Sequence, residues 1–174
     1  DGIPTIIGVG TSVCEGLKRG VVINLEKTVD GIAKAVNDAE LMAGIEIREA
    51  YVGIAGDHIK SLNSRGVIAV SRPDHTITER DIDRVLEAAK AIRLPDDREI
   101  IHVIPQEYIV DNQDGIKNPL DISGVRLEAE VHIVTGVMTA LQNVVKCVNR
   151  AGIEVNELVL QPLASSYAIL TSDE

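Results

Sequence analysis

Four histidines, two cysteines and a scatter of carboxylates are the side chains with which this chain would do chemistry. Their spacing argues against most of it. His58, His75, His102 and His132 show neither HxH nor HExxH spacing, and no cysteine lies near one. His102 and His132 would face each other across neighbouring strands, but a tetrahedral site needs three or four ligands. Solvent-facing strand positions account for them better. Cys14 and Cys147 are far apart in sequence and form neither a CxxC pair nor a disulfide framework, which fits a reducing cytoplasm. Gly8-Val9-Gly10-Thr11-Ser12 has glycines but lacks the Lys-Ser/Thr pair of a Walker loop, and no helix follows directly to receive a phosphate. Gly53-Ile54-Ala55-Gly56 reads as a strand end at a close-packed junction. Asp96, Asp97 and Glu99 follow Pro95 in a solvated loop. Ser165 and Ser166 lack the GxSxG elbow of a serine nucleophile. The alternating residues Arg126, Glu128, Glu130 and His132 are either a partner surface or an ordinary wet sheet face. Spacing alone shows no complete catalytic site.

Composition narrows the classes further. The chain has 174 residues, 45% of them hydrophobic and 25% charged, enough for one domain or two small ones with a real core. Phe and Trp are absent and Tyr occurs three times, so the core must be aliphatic, which argues against an aromatic platform for single-stranded nucleic acid. Seventeen basic residues stand against 27 acidic ones, a net charge of −10, with no Lys/Arg cluster for a phosphate backbone. No nucleic-acid partner is expected. No apolar run approaches the ~20 residues that span a bilayer, and no signal peptide is visible, so this chain itself is not expected to insert into a membrane. It starts at Asp1 without a Met, and is expected to be an internal piece of a longer protein.

The elements that must position these groups follow from periodicity. Ile3–Val9 reads as a strand, and Gly20-Val21-Val22-Ile23 as a second one. Asn24 caps a helix whose apolar stripe is Leu25, Val29, Ile32, Val36 and Ala39, with Glu26 in the first turn and Gly44 as the stop. A buried strand covers Ala50–Ala55. Ile59–Val70 reads as a hairpin turning at Asn63-Ser64-Arg65-Gly66. Thr78 and Asp81 form a capping box for a helix lined by Ile82, Val85, Leu86 and Ala89 and ended by Pro95. Ile100–Val110 is a strand in which Pro105 demands an edge or a bulge. The turn Asn112–Gly115 leads into Lys117-Asn118-Pro119. Val125, Leu127, Ala129, Val131 and Ile133 alternate with the polar set above, one face buried and one wet. A helix from Thr139, with Gln142 as its capping partner, carries Val144, Val145, Val148 and Ala151 and stops at Gly152. The strand Leu158–Leu160 and a helix near Pro162 complete a layered α/β fold with an inserted module.

Ile101-His102-Val103-Ile104-Pro105-Gln106-Glu107-Tyr108 closely resembles a segment of the FtsA family, the bacterial actin-like cell-division proteins. Gly115-Ile116-Lys117-Asn118-Pro119 and Ser123-Gly124-Val125-Arg126 continue the resemblance, as do Ala39-Glu40-Leu41-Met42-Ala43 and Leu163-Ala164-Ser165-Ser166-Tyr167. It covers essentially the whole chain. The resemblance implies an incomplete actin-like (ribonuclease H-like) subdomain 1A at residues 1–54 and 134–174, and an inserted subdomain 1C at 55–133. The insert is an SHS2 (strand-helix-strand-strand) module.

The family binds ATP with Mg, polymerises, and tethers the FtsZ ring to the cytoplasmic face of the membrane during septum formation. For this chain the resemblance implies assembly rather than enzymatic work. No cofactor site is complete in it, and both phosphate loops, the FtsZ-binding subdomain and the membrane helix would lie outside it. The partners implied are a second copy, through subdomain 1C, and late division proteins such as FtsN. The contact residues expected are Gly115, Ile116, Lys117, Asn118 and Pro119 with Arg126, Glu128, Glu130 and His132. Gln161 lies at a strand-to-helix junction where actin-like proteins place a residue that orients the attacking water. It stands open between that role and that of a polar residue satisfying backbone groups. The alternatives are an actin-like scaffold of type IV pilus assembly, and an actin-like ATPase or kinase.

Overall fold

Residues 5–169 are described by a computed structural model. Along them run β1 (Leu17–Lys18), β2 (Val21–Val22), α1 (Leu25–Ala43), β3 (Glu49–Ile54), β4 (Ile59–Ala69) and α2 (Glu79–Lys90). There follow β5 (Arg98–Val110), β6 (Gln113–Ile116), β7 (Arg126–Val137), α3 (Met138–Arg150), β8 (Glu154–Leu160) and α4 (Gln161–Ile169). They gather into two units. The chain up to Ile59 and from Val137 onward makes one, and Lys60–Gly136 the other.

In the first unit, α1 starts where its sequence demands. Asn24 is in extended backbone and its side chain accepts from Lys27 N, and Gly44 closes the helix at φ 71. Helices α1 and α3 pack on each other. Beside them β3 and β8 run parallel, from Glu49 against Glu154 to Ile54 against Leu160. Leu141, Cys147, Val148, Ile153 and Ile54 are buried, which makes the core aliphatic as composition required. A small antiparallel hairpin joins β1 to β2.

β3 is not the buried strand expected, since Tyr51 is 70% exposed and only Ile54 within it is buried. Two further expectations fail in this unit. Ile3 and Pro4 lie outside the described residues, and residues 5–9 form no strand. Ile6, Ile7 and Val9 are exposed. The segment runs against α1 instead, close enough that a Cβ on Gly8 would sit 3.0 Å from Ala43 Cβ. The second failure is the cap at Thr139. β7 runs directly into α3 with Val137 as N-cap and no side-chain cap bond, so Thr139 already lies inside the first helical turn.

In the second unit, a four-stranded sheet has the order β4-β7-β5-β6 and is covered by α2. Val85, Ala89, Leu127, Ala129, Val131 and Ile133 form its interior with Ile77 and Val110. Thr78 and Asp81 make the expected capping box. The helix ends at Lys90, well before Pro95, so the proline does not terminate it. β5 pairs with β6 only near Tyr108 and Val110, so Pro105 lies on a stretch of β5 that has no β6 partner.

The hairpin expected within Ile59–Val70 does not form. β4 is one continuous strand of 11 residues. Gly66 is there for close approach rather than for a turn. A Cβ on it would collide with Val85 O and lie 2.7 Å from Ala89 N, so α2 rests on the backbone of β4. Ser64 Oγ donates to Ala89 O at 2.8 Å and fixes the same contact.

Candidate functional site

Two places gather the residues singled out above. The first is the carboxyl end of the parallel pair in the first unit, where open α/β sheets bind ligands. Leu160 ends β8 and Gln161 begins α4. Gly53, in β3, leaves the space in which the Gln161 side chain lies. A Cβ there would sit 2.9 Å from Gln161 Cγ and 3.5 Å from Nε2. Gly20 at φ 77 and Gly56 at φ 142 face each other nearby with their backbones in close contact. Together with Ile32, Val36 and Val148 these residues line a cavity of 690 Å³. Its walls are mostly apolar, and its polar feature at the strand ends is the Gln161 amide. Among the described residues no group of three His, Cys, Asp or Glu is placed to hold a metal ion. Ser166 Oγ donates to Leu163 O at 2.7 Å, an ordinary bond within the turn of a helix.

The second place is the face of the four-stranded sheet turned away from α2. Here the structure corrects the expected wet strand. Glu128 is 1% exposed, so it is not a surface residue. Arg65 Nε donates to Glu128 Oε2 at 2.6 Å, and Arg126 Nη2 meets Oε1 at 2.8 Å. Two guanidiniums clamp one carboxylate, the arrangement that makes a buried charge tolerable. Arg65 Nη1 also lies 3.6 Å from Glu130 Oε1. His132 Nδ1 and Asn63 Oδ1 are 2.7 Å apart. Val125, expected inside, is exposed, because β7 begins only at Arg126.

The loop from Gly115 is divided between surface and core. Gly115 takes φ 74, and its N–H donates to Glu107 Oε2 at 3.1 Å. Lys117 Nζ donates to Gln106 O at 3.1 Å, and Asn118 Oδ1 accepts from Leu120 N at 3.1 Å. Ile116 packs against the core, and Pro119 is fully buried. Pro119 therefore belongs to the fold and not to a contact surface, as a ring with no N–H to satisfy is easily enclosed. Gly115, Lys117 and Asn118 stay exposed.

Nearby, Asp111 accepts from the backbone N–H groups of Arg126 and Val125, which hold its carboxyl below the usual range. It anchors the start of β7. Asn63 and Arg65, whose composition predicts a turn, lie instead within β4. The signal for them was a basic residue in one strand matched by acidic residues in another.

A family model described as "SHS2 domain inserted in FTSA" matches residues 56–135. The cell division protein FtsA of Pseudomonas aeruginosa is 49% identical over 174 residues, all of this chain and 41% of its own length. FtsA of Borreliella burgdorferi is 52% identical over 97% of this chain, and FtsA of Escherichia coli 42% over all of it. The chain thus spans about 41% of the length of these relatives. A chain of a PilM–PilN type IV pilus biogenesis complex superposes with a TM-score of 0.58 at 15% identity. It covers 90% of this chain and 40% of its own, and shows the shared actin-like α/β fold. At that identity the likeness extends to fold alone, whereas the sequence match runs the whole length of the chain. Over that length the chain belongs to the FtsA family of cell division proteins and carries the family's inserted SHS2 domain.

Proposed function

We propose that this chain is the assembly and protein-interaction portion of an actin-like division protein. The whole protein would bind ATP with Mg, polymerise, and tether the FtsZ ring to the cytoplasmic face of the membrane. The observation that carries the reading is the second unit, which has its own core and turns a polar sheet face and a glycine-led loop outward. Gly115, Lys117 and Asn118 with Glu130 and His132 supply the contacts to a second copy and to late division proteins such as FtsN. Arg126 and Glu128 hold that face together from beneath. FtsZ is reached through parts of the protein outside this chain.

The strand-end junction fits one wall of a nucleotide site. Gly53 leaves room for the Gln161 amide at the mouth of the cavity. An amide can both accept from and donate to a water, the positioning work on which phosphoryl transfer depends. The described residues offer no acidic cluster for Mg. The phosphate and metal contacts are assigned to parts of the protein outside this chain, which by itself binds Mg-ATP weakly or not at all.

The test is Lys117→Glu with Glu130→Lys in the full-length protein. Two-hybrid signals for self-association and for FtsN fall while the melting temperature holds. Unchanged association on both counts overturns the interaction reading. Micromolar Mg-ATP binding by this chain in calorimetry overturns the assignment of the phosphate contacts.

A further inference from the structure

The outer edge of β4 is built to accept another strand. Val137 N donates to His58 O at 3.2 Å, and Val70 N to Val125 O at 2.8 Å, so β4 and β7 run antiparallel. The contacts of Asn63 with His132 and of Arg65 with Glu130 keep the same register, and no bulge intervenes. In such a ladder the residues bonded to one neighbour recur at every second position. The even-numbered residues from His58 to Val70 point their backbone groups at β7. Ser61, Asn63, Arg65, Val67 and Ala69 therefore point theirs outward. β4 is the end strand of its sheet, all five residues are exposed, and no backbone group among the described residues meets them.

Proteins normally blunt a long edge with a proline, a bulge or a cover. The opposite side of this sheet shows such devices. β6 is short there, and Lys117 Nζ occupies Gln106 O. β4 has no proline along its 11 residues.

We propose that this edge binds an extended peptide segment of another protein by strand addition. A second copy of the chain is disfavoured, because antiparallel pairing puts both helices on one face of the joined sheet and parallel pairing, which separates them, is the weaker ladder. α2 rests on β4 at Ser64 and Gly66. Pairing two β4 edges antiparallel would bring their helices to about one strand spacing, ~4.8 Å, whereas packed helices stand about 8–10 Å apart. Registers that separate the helices give up most of the ladder. A bare strand meets no such clash. Its side chains follow the pleat. Those on the α2 side lie beside Leu62 and Ile68 and are apolar. Those on the other side lie beside Asn63 and Arg65 and are polar. The inference is independent of the reading above, because it concerns the opposite edge of the sheet from the Gly115 loop.

The experiment pans a random dodecapeptide phage library against the chain and measures the affinity of the selected peptides by calorimetry. Peptides alternating apolar and polar residues are expected. Singly N-methylated versions should lose affinity at every second position and nowhere else, because only alternate N–H groups face β4. Val67→Pro deletes an outward donor without touching the β7 ladder and should weaken binding about tenfold. If Val67→Pro fails to fold, the N-methyl series decides alone. A flat N-methyl series, full binding by folded Val67→Pro, or failure to select any alternating peptide overturns the proposal.

Discussion

A carboxylate enclosed by two guanidiniums makes Glu128 the residue with most at stake in the sheet. Arg65 and Arg126 are half exposed and can return to water if the carboxylate is removed. The carboxylate itself cannot. Removing both partners, Arg65→Ala with Arg126→Ala, should therefore destabilise the protein by about 3–5 kcal/mol, the range for an orphaned buried charge. Glu128→Gln should lose less, about 1–2 kcal/mol. Urea melts give the order, and a larger loss for Glu128→Gln would show that the arginines are the costly members. Asp81 titrates to similar effect. The Thr78 hydroxyl, its backbone N–H and Arg84 hold the carboxyl below its ordinary value against the opposing effect of burial. A depressed folded pKa means that the stabilisation is complete above the unfolded value near 4 and fades as pH falls through the folded one. Asp81→Asn should lose about 1 kcal/mol at neutral pH and flatten the stability profile below pH ~4. The Asp81 cap was legible because a capping box is local in sequence. The burial of Glu128 was not, because a strand's alternation gives its face but not what lies across that face on the next strand.

Element by element, the same divide between local and distant causes holds. Helix α1 was readable from Asn24 to Gly44, since both ends are fixed by side chains and φ angles of the helix itself. The single strand β4 was not. Asn-Ser-Arg-Gly has the composition of a turn. What straightens it is α2 pressing on Gly66 and β7 pairing along its length. Gly66→Ala tests that account. The methyl group would strike Val85 O, and about 1–3 kcal/mol of stability should be lost through displacement of α2. If Gly66 were a turn glycine after all, alanine would act through its backbone angles and leave the helix contacts intact. Hydrogen exchange of the α2 amides separates the two outcomes. The junction at Gln161 was partly legible, as the sequence marked a strand-to-helix change there. The space that Gly53 leaves for it comes from the parallel partner strand and has no local signature.

At the scale of the molecule, the two units have separate cores, and this bears on independent folding. Lys60–Gly136 contains its whole sheet apart from the terminal residues Ile59 and Val137, its covering helix, and the cluster from Val70 to Ile133. It exceeds the roughly 40 residues below which domains usually need metals or disulfides. Expressed alone, it should melt in one cooperative calorimetric transition. A broad, non-cooperative melt would show that the first unit is needed to complete it. The way this unit is attached has a genetic consequence. His58 O and Val137 N are hydrogen-bonded, so the polypeptide leaves the first unit and returns to it at adjacent points. An insertion whose ends meet adds little loop-closure entropy to its host, and a host that loses it needs only a tight turn to reconnect. One in-frame insertion between two neighbouring codons would be enough to add the entire module, and one in-frame deletion to remove it, leaving the path of the surrounding chain as it was.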